Sequence, residues 1–237
     1  DAFGVINLAG PNARKVLQKV TDADVSNDAF PFLAHRDLRI KNAVPVLALR
    51  LGFVGELSYE LHVPSSYMQG VWDLLKKTGQ AFNIMDFGLE AQSCLRLEKG
   101  HLIIGSESEQ RTTLHDLNLS HLWDRHKTDA KTVGAFALKD TENQAGRLKL
   151  VGITMDDASG VPPDGSIIVD EKIRGYVCTA RYSDTLKTAV GMALLDAELS
   201  NPGTGLRIFE GSGDEQMMKA TVVKMPFYDP EGKRMKI

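Results

Sequence analysis

The sequence predicts an α+β domain followed by an all-β domain, a small antiparallel barrel or sandwich. Two observations carry this reading. Up to about Lys139 the chain alternates strand-like runs of period two with helix-like runs of period about 3.6. Beyond the polar, loop-like stretch "DTENQAGR" it becomes a series of short β-rich runs, separated by turn residues at intervals typical of small barrels and sandwiches. The boundary is therefore expected near residue 140, giving an α+β portion at 1–140 and a β portion at 141–237.

The elements follow in order. "FGVINLAG" opens as a strand. In "GPNARKVLQKV", Pro11 suits a first helical turn, and Ala13, Val16, Leu17 and Val20 recur at helical spacing. "VPVLALRLGFVGELSYELHV" alternates on either side of Gly52 to Gly55, as two antiparallel strands joined through a turn would. On the second of these strands Tyr59, Leu61 and Val63 share one face, while Ser58, Glu60 and His62 share the other. "SSYMQGVWDLLKKTGQ" reads as a helix with Val71, Leu74 and Leu75 inward and Gly79 as its stop. "MDFGLEAQSCLRLEKG" reads as another, with Asp86 as N-cap and Gly100 past its end. The β runs are "LKLVGITM", "SIIVD", "IRGYVCTARY", "TAVGMALL", "LRIFE" and "KATVVKM". There is no internal repeat and no low-complexity tract.

Composition excludes several function classes. A formal charge of -3 without a basic stripe argues against nucleic acid. No apolar run approaches the roughly 18 residues of a membrane span, and the opening residues lack the pattern of a signal peptide. Cys94 and Cys178 lie far apart in apolar contexts, as buried thiols of a reducing compartment do, so the expected location is cytoplasmic. The chain begins at Asp1 and runs directly into a strand, from which we expect further sequence upstream.

Candidate chemistry is sparse. His115, His121 and His126 in "HDLNLSHLWDRH" have spacings that match no familiar zinc motif, so no metal is expected. The glycine cluster "EGSGDEQ" lacks the following helix that a phosphate cradle requires and reads as a hairpin loop. There is no G-x-S-x-G elbow and no local support for a Cys–His nucleophile. Arg96 and Glu98, near the end of a leucine-bearing helix, have the pattern of a solvated polar edge. Glu60 is out of place in a strand, since glutamate is depleted there. It either faces water or accepts hydrogen bonds from a ligand; a heterocycle with an N–H beside an amino group would supply two at once.

Several ordered motifs, "GFVGELSYEL", "FGLEAQSCLRLEKGHLIIG", "TARYSDTLKTAVGMALL" and "PFYDPEGKRMK", resemble successive signatures of the glycine cleavage T-protein (aminomethyltransferase) family, across essentially the whole chain. "AFPFLAHRD", "RLEKGHLIIGSESE" and "PFYDPEGKR" look most like the carboxy-terminal region of sarcosine oxidase alpha subunits, with sarcosine and dimethylglycine dehydrogenases next. The resemblance implies a ferredoxin-like α/β sandwich that binds folate, followed by a small antiparallel C-terminal β-barrel. It implies tetrahydrofolate as cofactor, with FAD or FMN only in other domains or subunits. It places Glu60, second glutamate of G-x-x-G-E-x-x-x-E, on the amino-pyrimidine edge of the pteridine, leaves Tyr59 structural, and makes Arg96 the second cofactor-binding residue. The arginine that T-proteins commonly carry four residues earlier is Gln92 here, a departure where the charge of the folate tail would be paired. The catalytic aspartate belongs to the family's N-terminal third, and no residue of this chain matches it. The implied activity is capture of a carbon from an N-methyl amine such as sarcosine to form 5,10-methylenetetrahydrofolate, with flavoprotein domains or subunits as partners. Aminomethyl transfer in glycine cleavage and a non-catalytic folate-binding or assembly module are the alternatives, and the isolated chain is expected to be inactive.

Overall fold

A computed structural model describes residues 2–109, 111–124, 132–142, 144–156, 160–209 and 217–237. The elements run β1 (Phe3–Ala9), α1 (Ala13–Val20), β2 (His35–Ile40), β3 (Val44–Leu49), β4 (Ser58–Pro64), α2 (Met68–Gly79), α3 (Leu89–Glu98), α4 (Ala135–Thr141), β5 (Leu148–Met155), β6 (Ile167–Val169), β7 (Ile173–Ser183), β8 (Thr188–Asp196), β9 (Gly205–Phe209), β10 (Met217–Val223) and α5 (Lys233–Lys236). They form two compact units, Asp1–Leu95 with Asp229–Ile237, and Arg96–Tyr228. No helix among the described residues is long and apolar enough to cross a membrane.

In the first unit a four-stranded antiparallel sheet, ordered β1-β4-β3-β2, carries α1 and α2 on one face. The strand alternation dictates that face: Ile6 and Leu8, Leu38 and Ile40, Val46 and Ala48, and Tyr59, Leu61 and Val63 point into one core. The helices answer with Ala13, Val16, Leu17 and Val20, and with Val71 and Leu75. Tyr59 is structural, fully buried, with its ring 5.6 Å from that of Phe30 and its hydroxyl accepting a bond from Arg14 Nε.

Local signals were displaced by a residue or more in three places. Pro11 precedes α1, whose N-cap is Asn12. Gly79 stays inside α2 with helical dihedrals, and the left-handed residue that turns the chain is Asn83, φ 56°, after a short 3-10 turn. Asp86 does not cap α3, which begins at Leu89; its carboxylate pairs with Lys76 at 2.7 Å. Strand β2 escaped sequence reading because "HRDLRI" carries three charged or polar side chains on its outward positions and only Leu38 and Ile40 inward.

In the second unit all six β runs are strands, closed antiparallel into a barrel of order β10-β5-β8-β7-β6-β9 by pairing of β9 with β10. The inward residues, among them Ile153, Ile168, Val177, Leu195, Ile208 and Val222, fill it. A bulge in β7 between Val177 and Thr179 leaves Cys178 out of register, and burial, followed by the charge of Glu107, pushes its thiol up to about 12. Neither cysteine forms a disulfide; Cys178 is buried, whereas Cys94 on α3 is only half-buried. "DTENQAGR" is not loop from its start, because α4 runs on to Thr141. The "EGSGDEQ" stretch, Glu210 to Gln216, lies outside the described residues.

Asp116 ties the approach to this barrel. Its buried carboxylate accepts from Arg147 Nε at 2.8 Å, from Arg147 Nη2, and from the Thr113 amide and hydroxyl at 2.7 and 2.9 Å. Burial alone would raise this carboxyl and is the largest single influence, but the bonds from Arg147 and Thr113 together hold it below the ordinary value of 3.8. A depressed carboxyl stabilises the fold above its unfolded value, and that stability disappears as pH falls through the folded value. Asp116→Asn is therefore expected to cost about 1 to 3 kcal/mol in urea melts at pH 7, with the gap from wild type narrowing below about pH 4. A gap that stays constant down to pH 2.5 would refute this account.

Candidate functional site

The sheet of the first unit leaves a second face without helices of its own core. Glu60 on β4 lies opposite Asn7 on β1 and Leu49 on β3, and His62 lies opposite Val5 and Leu47. Phe3, Val5 and Leu47 remain exposed, whereas the Glu60 and His62 side chains keep 29% and 32% of their surface. Both are thus partly desolvated on a surface of mixed apolar and polar character. Asn7 Oδ1 accepts from the Ser58 hydroxyl at 3.2 Å. No hydrogen bond from a described residue reaches the Glu60 carboxylate; His62 Nε2 stands 3.9 Å from Oε2, beyond bonding distance.

The loop that delivers Glu60 explains the rest of G-x-x-G-E-x-x-x-E. A Cβ on Gly52 would lie 2.6 Å from the Glu56 carbonyl oxygen, so only glycine lets the loop close on itself. Glu56, the first glutamate, pairs with Arg234 of α5 at 2.5 Å. The "GFVGELSYEL" loop and the "DPEGKRMK" end of the closing motif, far apart in sequence, therefore meet inside one unit, and the first glutamate anchors the loop while the second is left to the surface. Arg50, just before the loop, is buried and donates to the Phe30 carbonyl at 2.7 Å.

Arg96 lies in the second unit and is not the solvated edge that its helix position implied. The physical reason is its ion pair: its side chain is 3% exposed and meets Glu107, fully buried, at 2.8 Å. The same Nη1 donates to the His101 carbonyl, and Glu107 also accepts from the Ile103 amide at 2.8 Å and the Ser106 hydroxyl at 3.1 Å. Arg96 Nε is buried without a partner among the described residues. Glu98 is buried too, accepting from the Ser183 hydroxyl at 2.5 Å. Glu107 was missed from sequence because an acidic residue in "GSESE" carries no periodic sign of burial.

The histidine cluster holds no metal geometry among the described residues. His115 bonds the Ser120 hydroxyl and the Leu138 carbonyl, and His126 lies outside the described residues.

A carboxylate with both oxygens unengaged on a partly dehydrated sheet face suits a ligand that presents two neighbouring N–H donors. The amino-pyrimidine edge of a folate has that donor set, so Glu60 fits the group that the sequence motifs imply.

Comparison with known proteins follows the same lines. At 34% identity, 88% of the chain matches mitochondrial dimethylglycine dehydrogenase of Homo sapiens, of which it covers 24%. At 30% identity the whole chain matches sarcosine oxidase subunit alpha of Rhizobium meliloti, again covering 24% of that protein. At 31% identity, 96% of it matches the aminomethyltransferase of Bacillus subtilis and covers 61%. The chain thus spans about a quarter of the two longer relatives. A crystal structure of glycine cleavage system aminomethyltransferase T from Bartonella henselae shares the fold with a TM-score of 0.81 at 20% identity, over 95% of this chain and 60% of that one. The family model for the GCVT N-terminal domain matches residues 1–127, and that for the glycine cleavage T-protein C-terminal barrel domain matches 149–229. With the first match spanning more than half of the chain and the second spanning the barrel strands, the chain belongs to the glycine cleavage T-protein family.

Proposed function

We propose that this chain is the tetrahydrofolate-binding portion of an enzyme resembling sarcosine oxidase alpha subunits, which captures a carbon from an N-methyl amine as 5,10-methylenetetrahydrofolate. The observation that carries the reading is the Glu60 carboxylate, unbonded by any described residue on a half-desolvated sheet face. Glu60 orients the pteridine through its amino-pyrimidine edge, and the folate nitrogens, already nucleophilic, supply the attacking atom. Arg96 is kept as the second cofactor-binding residue, through the buried Nε that its pairing with Glu107 leaves unused. No catalytic residue is assigned within the chain: the aspartate that assists the folate nitrogen belongs to sequence outside it, so the isolated chain would be inactive. Flavin oxidation of the amine would take place in other domains or subunits, in the cytoplasm. A division into folate-binding and barrel portions at about residue 140 belongs to the same proposal; it falls between the two family matches at 1–127 and 149–229.

The test is an assay of the full-length protein with sarcosine, an electron acceptor and increasing tetrahydrofolate. Saturable formation of 5,10-methylenetetrahydrofolate at the expense of released formaldehyde is the expected result. Formaldehyde release that ignores tetrahydrofolate would overturn it. The similarity to an aminomethyltransferase over 61% of its length favours a second reading, aminomethyl transfer from a lipoyl carrier in glycine cleavage. Turnover with an aminomethyl-lipoyl donor but not with sarcosine would select it.

A further inference from the structure

His62 Nε2 is shut off from solvent and has no hydrogen-bond partner among the described residues. Buried polar nitrogens are seldom left so, and each exception asks for a reason. Across the sheet His62 faces Val5 and Leu47, whose side chains offer no acceptor. Asn7, diagonal to it, already has its Oδ1 engaged by Ser58. Asp37 shares this face but stands two strands away, beyond Leu47, whereas Glu60 Oε2, on the same strand, is 3.9 Å away.

We infer that His62 is a positioning residue for the Glu60 carboxylate: its Nε2–H bonds Glu60 Oε2 when a heterocycle with adjacent N–H and amino donors is bound. The gap exceeds an N–H···O bond by about 1 Å. Closing it requires the two side chains, two residues apart on one strand, to turn toward each other. The bond fixes the plane of a carboxylate that no other described residue holds, so less side-chain freedom is lost when the ligand arrives. Oε2 keeps a lone pair for the ligand because a carboxylate oxygen accepts more than one bond. His62 thus acts through Glu60 and does not touch the heterocycle.

This inference rests on the folate reading of Glu60, and a double-mutant cycle separates the two. Titration calorimetry with tetrahydrofolate is run on the full-length wild type, His62→Met, His62→Gln, Glu60→Gln and the Glu60→Gln/His62→Met double variant, below the melting transitions recorded for each. His62→Met is expected to weaken binding about tenfold. His62→Gln, which returns an N–H donor at comparable reach, recovers most of that loss. In the Glu60→Gln background His62→Met costs less than about twofold, because the bond it removes is already gone. An equal loss in both backgrounds, with a clear Glu60 effect, overturns the positioning role alone. Binding unchanged by Glu60→Gln overturns the folate reading and this inference together.

Discussion

Replacing Glu60 with glutamine lowers the affinity of the full-length protein for tetrahydrofolate roughly thirtyfold to 150-fold, while the melting temperature barely moves. The substitution keeps the shape of the side chain but turns one acceptor oxygen into an amide donor that faces a donor. Loss of a charge-assisted bond together with that mismatch amounts to about 2 to 3 kcal/mol, the upper part of the range for hydrogen bonds to charged groups. Stability is spared because no described residue bonds the carboxylate in the unliganded chain, and 29% of the side chain still meets solvent. Surface-type substitutions of that kind stay within about 0.5 kcal/mol. Calorimetric titration paired with thermal melts reads both quantities. Unchanged affinity would return Glu60 to a solvent-facing strand position, and a collapsed melting temperature would make it structural.

How far this site could be read from sequence depends on how local each signal is. The face of β4 was legible because strand alternation has a period of two: Tyr59, Leu61 and Val63 had to point together, and they fill the core. The barrel strands were legible for a related reason, since β-branched runs between turn residues set their own limits, and all six runs became strands. The stop of α2 was misplaced because Gly79 is kept by packing, with Ile84 within 2.6 Å of where its Cβ would lie, and not by a left-handed turn. The Glu56–Arg234 pair joins residues 178 positions apart, and no periodicity reports such a contact. Arg96 shows the same limit in sharper form. A charged residue among leucines near a helix end is solvated in most proteins, and only the arrival of Glu107 from the following loop makes burial tolerable here.

That pair also supports the largest expected change in stability. Arg96→Met leaves Glu107, fully buried, without its cation, and breaking a buried pair by removing one partner costs about 3 to 5 kcal/mol. For a chain of this size the melting temperature falls roughly 6 to 20 °C, since each kcal/mol moves it by about 2 to 4 °C. The Ile103 amide and the Ser106 hydroxyl cannot neutralise the stranded charge, although they continue to bond it. In an Arg96→Met/Glu107→Gln double variant no charge is left behind, and glutamine still offers Ile103 an acceptor. Its loss is therefore expected to be well below the sum of the two single losses, a coupling of at least about 2 kcal/mol. Additive losses would show that the ion pair does not organise this segment. Arg96→Lys separates stability from ligand contact, because lysine keeps a charge opposite Glu107 but has no Nε donor and no planar fork. If Nε reaches the folate, Arg96→Lys weakens tetrahydrofolate binding about tenfold with a smaller fall in melting temperature than Arg96→Met. Wild-type affinity in Arg96→Lys would confine Arg96 to holding Glu107 and remove it from the cofactor site.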